Sequence, residues 1–162
     1  MTMGHEVIIY GVIESVMHFN NLLVQQENNR SVLGNLPATD EWPWLTRSMF
    51  TVPESYPRGI YHTPVIHFGL SMKDDAPAPL ASTVDGRPEW PMRDRECVDG
   101  WIARFEALLR KLYWIGANVH ISTEFETPRV LYYTATTAAI NKMIADDPQP
   151  IQEWDFRIAF VP

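Results

Sequence analysis

The chain has 162 residues, 46% hydrophobic and 20% charged, enough to bury a core of its own and too apolar for wholesale disorder. Its net charge of −7 speaks against nucleic-acid binding, where Lys and Arg must neutralise phosphates, and against docking on an anionic membrane. The lone cysteine, Cys97, rules out an intrachain disulfide framework and suits a reducing, cytoplasmic compartment.

In chain order, residues 6–13 (EVIIYGVI) form the first expected strand, on their β-branched content. Gly11 within it suggests a bulge or a close backbone approach. The apolar run from Val7 to Ile13 is too short to span a membrane and lacks the basic flank of a secretory signal. A helix is expected from Glu14 or Ser15 to about Glu27, with Val16, Phe19, Leu22 and Leu23 as its apolar stripe and Asn28-Asn29 as its end. Residues 35–59 then lose periodicity. Pro37, Pro43, Pro53 and Pro57 forbid a long element, while Trp42, Trp44, Leu45, Met49, Phe50 and Tyr56 are too apolar for a solvated linker. An irregular excursion held to the body by its aromatic residues is expected there.

Residues 60–72 return to strand, with Ile66, Phe68, Leu70 and Met72 on one side and Val65, His67, Gly69 and Ser71 on the other. A second proline-rich loop is expected over 73–93, and it carries Trp90. The strongest amphipathic signal follows. Val98, Trp101, Ile102, Phe105, Leu108, Leu109 and Leu112 share one helical face, with Asp94 or Asp99 as rival caps and Gly116 as the stop. Strands are then expected through Val119, Ile121 and Phe125 and over 129–134, joined as a hairpin at Thr127-Pro128. Thr136 or Thr137 caps a short helix, and Trp154, Phe156, Ile158 and Phe160 alternate in a final strand. The order is β-α-β-α-β-β-α-β. It predicts an α+β fold, a single mixed or antiparallel sheet of about five strands with helices on one face, built as one globular domain over 1–162.

Strand parity then predicts the functional surface. With the apolar partners facing the helices, His67, Ser71, His120, Ser122, Glu124, Asp155 and Arg157 share the opposite face, joined by Tyr132 if Leu131 and Tyr133 point inward. Loop tryptophans Trp42, Trp44 and Trp90 are candidate anchors, because aromatic residues bury much area at small entropic cost. The expected partner-contacting set is therefore Trp42, Trp44, Trp90, His67, His120, Glu124 and Arg157. No catalytic constellation stands out, since the chain has no nucleophile elbow, no Walker loop and no dinucleotide fingerprint.

Two readings follow. The first is a small acidic protein that works by occupying a protein partner, to which a basic one would suit its field, without cofactor or catalysis. Bacterial immunity proteins that neutralise a toxin are similar in size and composition, although no motif links the chain to them. The alternative is a metal-dependent enzyme or small-ligand binder using the sheet face around His67, His120 and Glu124; His62 could replace His67 only where Pro64 disturbs the strand, since the two have opposite parity.

Overall fold

The computed structural model describes residues 6–15, 22–39, 45–52, 65–73, 90–123 and 126–162. Among the described residues, six strands form one antiparallel sheet: β1 (Glu6–Glu14), β2 (Phe50–Thr51), β3 (Val65–Lys73), β4 (Gly116–Thr123), β5 (Arg129–Ala135) and β6 (Trp154–Phe160). Their spatial order is β2-β3-β1-β4-β5-β6, so β1 lies inside the sheet and β6 is an edge. Three helices among the described residues accompany it: α1 (Leu22–Gly34), α2 (Trp90–Leu109) and α3 (Thr137–Met143). The expected α+β architecture is present. The additional strand is the short β2, inside the segment expected to be irregular.

Alternation sorts the sheet into two faces. Val7, Ile9 and Ile13 of β1, Ile66 and Phe68 of β3, Ala117, Val119 and Ile121 of β4, and Leu131 and Tyr133 of β5 are buried on the helix side. The apolar stripe of α2 meets them with Val98, Trp101, Phe105, Leu108 and Leu109, each at most 3% exposed. Aromatic rings link the layers: Phe68 lies 5.1 Å from Phe105, which stacks on Trp101 at 5.0 Å and meets Tyr133 edge-on at 6.0 Å. Such pairs add about 0.5–1.5 kcal/mol each beyond the area they bury.

Gly11 explains itself at this layer. A Cβ there would run into the backbone carbonyl of Asn118 and lie 2.7 Å from the Phe68 ring. The pairing of β1 with both neighbours is continuous through Gly11, so the residue marks a close approach and not a bulge.

Helix bounds differ from expectation in both α1 and α2, and Glu14, one of the two expected starts of the first helix, is the last residue of β1. α1 continues through Asn28 and Asn29 to Gly34, because these side chains do not terminate it but bond elsewhere. Asn29 Nδ2 donates to Tyr113 O at 2.7 Å while its Oδ1 accepts from Tyr113 N at 2.8 Å. Asn28 Nδ2 donates to Lys111 O at 3.2 Å, and Gln25 Nε2 donates to Met143 O at 3.0 Å. The helix thus buries Gln25, Gln26, Asn29 and Leu33, whereas Leu23, expected in the apolar stripe, is 77% exposed. A buried backbone group without a partner is costly, and this polar side satisfies the irregular connection after α2. Val16 and Phe19 lie outside the described residues.

α2 begins at Trp90, ahead of either expected cap and within the segment read as loop. Pro91 is compatible with that start, since proline is tolerated in the first helical turn. The helix ends at Leu109, and Gly116 opens β4 instead of stopping the helix. Thr136 does cap α3, its hydroxyl accepting from Ala139 N at 3.2 Å. Within 35–59, Leu45, Met49 and Phe50 are buried in the common core, and Arg47 N donates to Pro37 O at 3.1 Å.

Candidate functional site

The face of the sheet turned away from α2 is a lattice of side chains set by strand register. One row runs Thr51, His67, Val12, Asn118, Tyr132 and Arg157, from β2 to β6. The neighbouring row runs Gly69, Tyr10, His120, Val130 and Ala159. His67, His120 and Arg157 therefore do emerge on the same face, and Tyr132 joins them because Leu131 and Tyr133 point inward.

They do not form one cluster. At ~4.8 Å per strand step, His67 on β3 stands about 19 Å from Arg157 on β6. His120 lies between, packed face to face on Tyr10 with ring centroids 4.7 Å apart and planes within 7°. The Arg157 guanidinium covers the Tyr132 ring at 4.7 Å. Tyr132 is diagonal to His120 across the β4–β5 pair, near enough for long side chains to touch. Tyr10, His120, Tyr132 and Arg157 are thus a contiguous patch, with Val130, only 4% exposed, as its floor. Tyr10 is 51% exposed and Ile8 40%, so the patch extends along β1.

The chemistry of this patch is that of contact. Stacked rings and a cation over an aromatic face present flat, rigid area with hydrogen-bonding rims, which is what protein interfaces select. Among the described residues, no group of three His, Cys, Asp or Glu side chains is close enough to hold a metal. Glu124, His62, Trp42 and Trp44 lie outside the described residues. Trp90 is the first residue of α2, with its side chain also outside them.

A separate cleft of about 380 Å³ opens on the helix side, lined by Asp99, Glu126, Thr127, Arg129 and Phe160. Arg129 Nη1 is bound to Glu126 Oε2 at 3.3 Å, so much of the local charge is already matched. Of the two perturbed tyrosines, Tyr133 belongs to the core. Burial and then the Glu106 carboxylate, 3.3 Å from its hydroxyl, hold its phenol far above the usual tyrosine value. Tyr113 is raised by burial and then by Asp147, and its hydroxyl donates to Pro148 O at 3.2 Å. Both are structural tyrosines, locked to the fold by those bonds.

Sequence reasoning passed over Tyr10. The available signal was its place in the alternation Ile9-Tyr10-Gly11. Only the register of β1 against β4 reveals that this ring meets His120.

The fold and the face together define an α+β protein with an aromatic-rich sheet surface that no described helix covers. Compared with known protein families, curated proteins and solved structures, the chain gives no match in any of the three. Among the described residues, no helix is long and apolar enough to cross a membrane.

Proposed function

We propose that this chain is a non-catalytic protein-binding protein of the cytoplasm, acting by occupying a partner as bacterial immunity proteins occupy a toxin. The observation that carries the reading is the open patch of Tyr10, His120, Tyr132 and Arg157. Tyr and Arg are the side chains most often responsible for binding energy at interfaces. Here they are held in place before any partner arrives, which lowers the entropic cost of association. The net charge of −7 adds a long-range field that speeds encounter with a basic partner, while the patch supplies the short-range contacts.

Affinity capture from the source cell with wild-type protein and with Tyr10→Ala/Arg157→Ala tests this directly. A basic protein bound in stoichiometric amount is expected, with affinity reduced roughly 30-fold or more in the variant. Leu23→Ala, on the exposed side of α1, should leave capture intact. Co-expression should then relieve any toxicity of that partner, and the double variant should not. A metal or metabolite that raises the melting temperature through His120, with no protein captured, would replace this reading by the ligand-binding one.

A further inference from the structure

Among the described residues, the two edges of the sheet are unlike. β2 is two residues long and offers little to pair with, whereas β6 is seven residues long. Thr136 N donates to Glu153 O at 3.2 Å and Val161 N donates to Pro128 O at 2.8 Å. In an antiparallel pair, bonded and non-bonded positions alternate. The odd-numbered residues of β6 therefore bond to β5, and Trp154, Phe156, Ile158 and Phe160 aim their N–H and C=O groups at the free edge. The side chains of the same four residues lie on the helix side, opposite Ala135, Tyr133, Leu131 and Arg129. Trp154 is covered by the Arg110 guanidinium at 4.5 Å and by Trp114. Beyond it Phe156, Ile158 and Phe160 are 48%, 47% and 67% exposed. β6 has no proline and no bulge, and its two charges, Asp155 and Arg157, lie on the face away from its apolar row.

The sequence of β6 also indicates what it pairs with. In a symmetric antiparallel pairing of two β6 strands that keeps each sheet's faces aligned, residues opposite one another share a face. Centring the axis on Phe156 sets Phe156 against itself and Trp154 against Ile158 of the second copy, all at positions with outward-facing backbone groups. The same register puts Asp155 opposite Arg157 of the second copy, twice over, on the other face. Centring on Arg157 would oppose like charges, and centring on Ile158 would leave both charges without a counterpart. Opposite charges facing across strands favour a register, and like charges oppose it.

We propose that two copies of this chain associate through β6, antiparallel about Phe156, joining their sheets into one. The interface shares Arg157 with the partner-capture face, whereas Phe156 lies on the helix side outside that face, so Phe156→Lys should weaken dimerisation and leave capture intact. A single strand pair joins the two sheets, a smaller contact than the ~1,200–2,000 Å² of most stable complexes, so a weak, concentration-dependent dimer is expected.

Sedimentation equilibrium of the isolated protein from about 1 to 300 μM, a span chosen to bracket such an affinity, reads the association directly. Wild type is expected to move from 18.7 kDa towards twice that mass. Phe156→Lys, at a half-exposed site that tolerates substitution, should weaken dimerisation at least 10-fold. Asp155→Arg and Arg157→Asp should each weaken it about as much, whereas Asp155→Arg/Arg157→Asp should return it to within about 3-fold of wild type, because the charges again face their opposites. Circular dichroism confirms that each variant is folded. A wild type monomeric throughout overturns the proposal and leaves the edge for a foreign strand. So does a dimer indifferent to Phe156→Lys, and so does a double reversal that fails to rescue.

Discussion

β1 and β6 read alike as sequences, and they meet opposite fates. Each sets an apolar row on alternate positions, Val7, Ile9 and Ile13 in one and Phe156, Ile158 and Phe160 in the other, although β1 also carries Ile8, Tyr10 and Val12 between them. Both apolar rows lie on the helix side of the sheet. Ile9 has no exposed surface, while Ile158 is 47% exposed. Period determines which way a side chain points, but cover comes from what lies above it. β1 sits between β3 and β4, under the aromatic stripe of α2. β6 sits at the margin, where Arg110 reaches only as far as Trp154.

The comparison is broken most decisively by truncating the same residue type on both strands. Ile9→Ala should cost about 2–5 kcal/mol, since it removes buried methyl groups and leaves a cavity in a close-packed layer. Denaturant unfolding measures it. Ile158→Ala, assayed below about 1 μM so that the monomer dominates, should cost about 1 kcal/mol or less, because the half-exposed side chain has little burial to lose. Equal losses at the two positions would mean that the edge row is covered after all.

Gly11→Ala sharpens the contrast between inner strand and edge. One added methyl would meet the Asn118 carbonyl and the Phe68 ring, and backbone cannot move aside cheaply. A loss of about 1–3 kcal/mol is expected. An unchanged midpoint of unfolding would show that β1 is not clamped as closely as its neighbours imply.

A smaller effect than that of Gly11→Ala is expected at Tyr133, where the buried sheet meets the β6 row. Its ring lies 5.1 Å from Phe156, and its phenol is raised above the ordinary 10.0 by burial and by Glu106. The folded state therefore holds this proton more tightly than the unfolded state does. The stabilisation is complete below about pH 10 and is lost as pH climbs towards the folded-state value. Tyr133→Phe removes this contribution, so its stability should fall less steeply above about pH 10 than that of the wild type. At neutral pH it should differ by only about 1 kcal/mol, the worth of one hydrogen bond. Parallel alkaline limbs would show that Tyr133 titrates normally.

Much of the fold was legible in the residues. The α+β class, the long apolar helix around Trp101 and Phe105, the β4–β5 hairpin and the Thr136 cap all follow from local pattern. The polar docking of α1 was not legible. Asn28 and Asn29 look like a helix end, and only the connection at Lys111–Tyr113, more than eighty residues away, gives their side chains other work. The functional face was half legible: His67, His120, Tyr132 and Arg157 were assigned to it by alternation, but Tyr10 and the wide gap between His67 and Arg157 were not.

The sequence by itself determined which side chains of β3, β4 and β6 share a face, because alternation is a property of the extended backbone and needs no partner; β1, apolar on both faces, carries no such assignment. Strand order was decided only by the tertiary structure. Order placed β1 at the centre and β6 at the rim, put the Tyr10 ring against His120, and chose which apolar rows α2 would cover. Those outcomes depend on contacts between residues far apart in the chain, which no local spacing records.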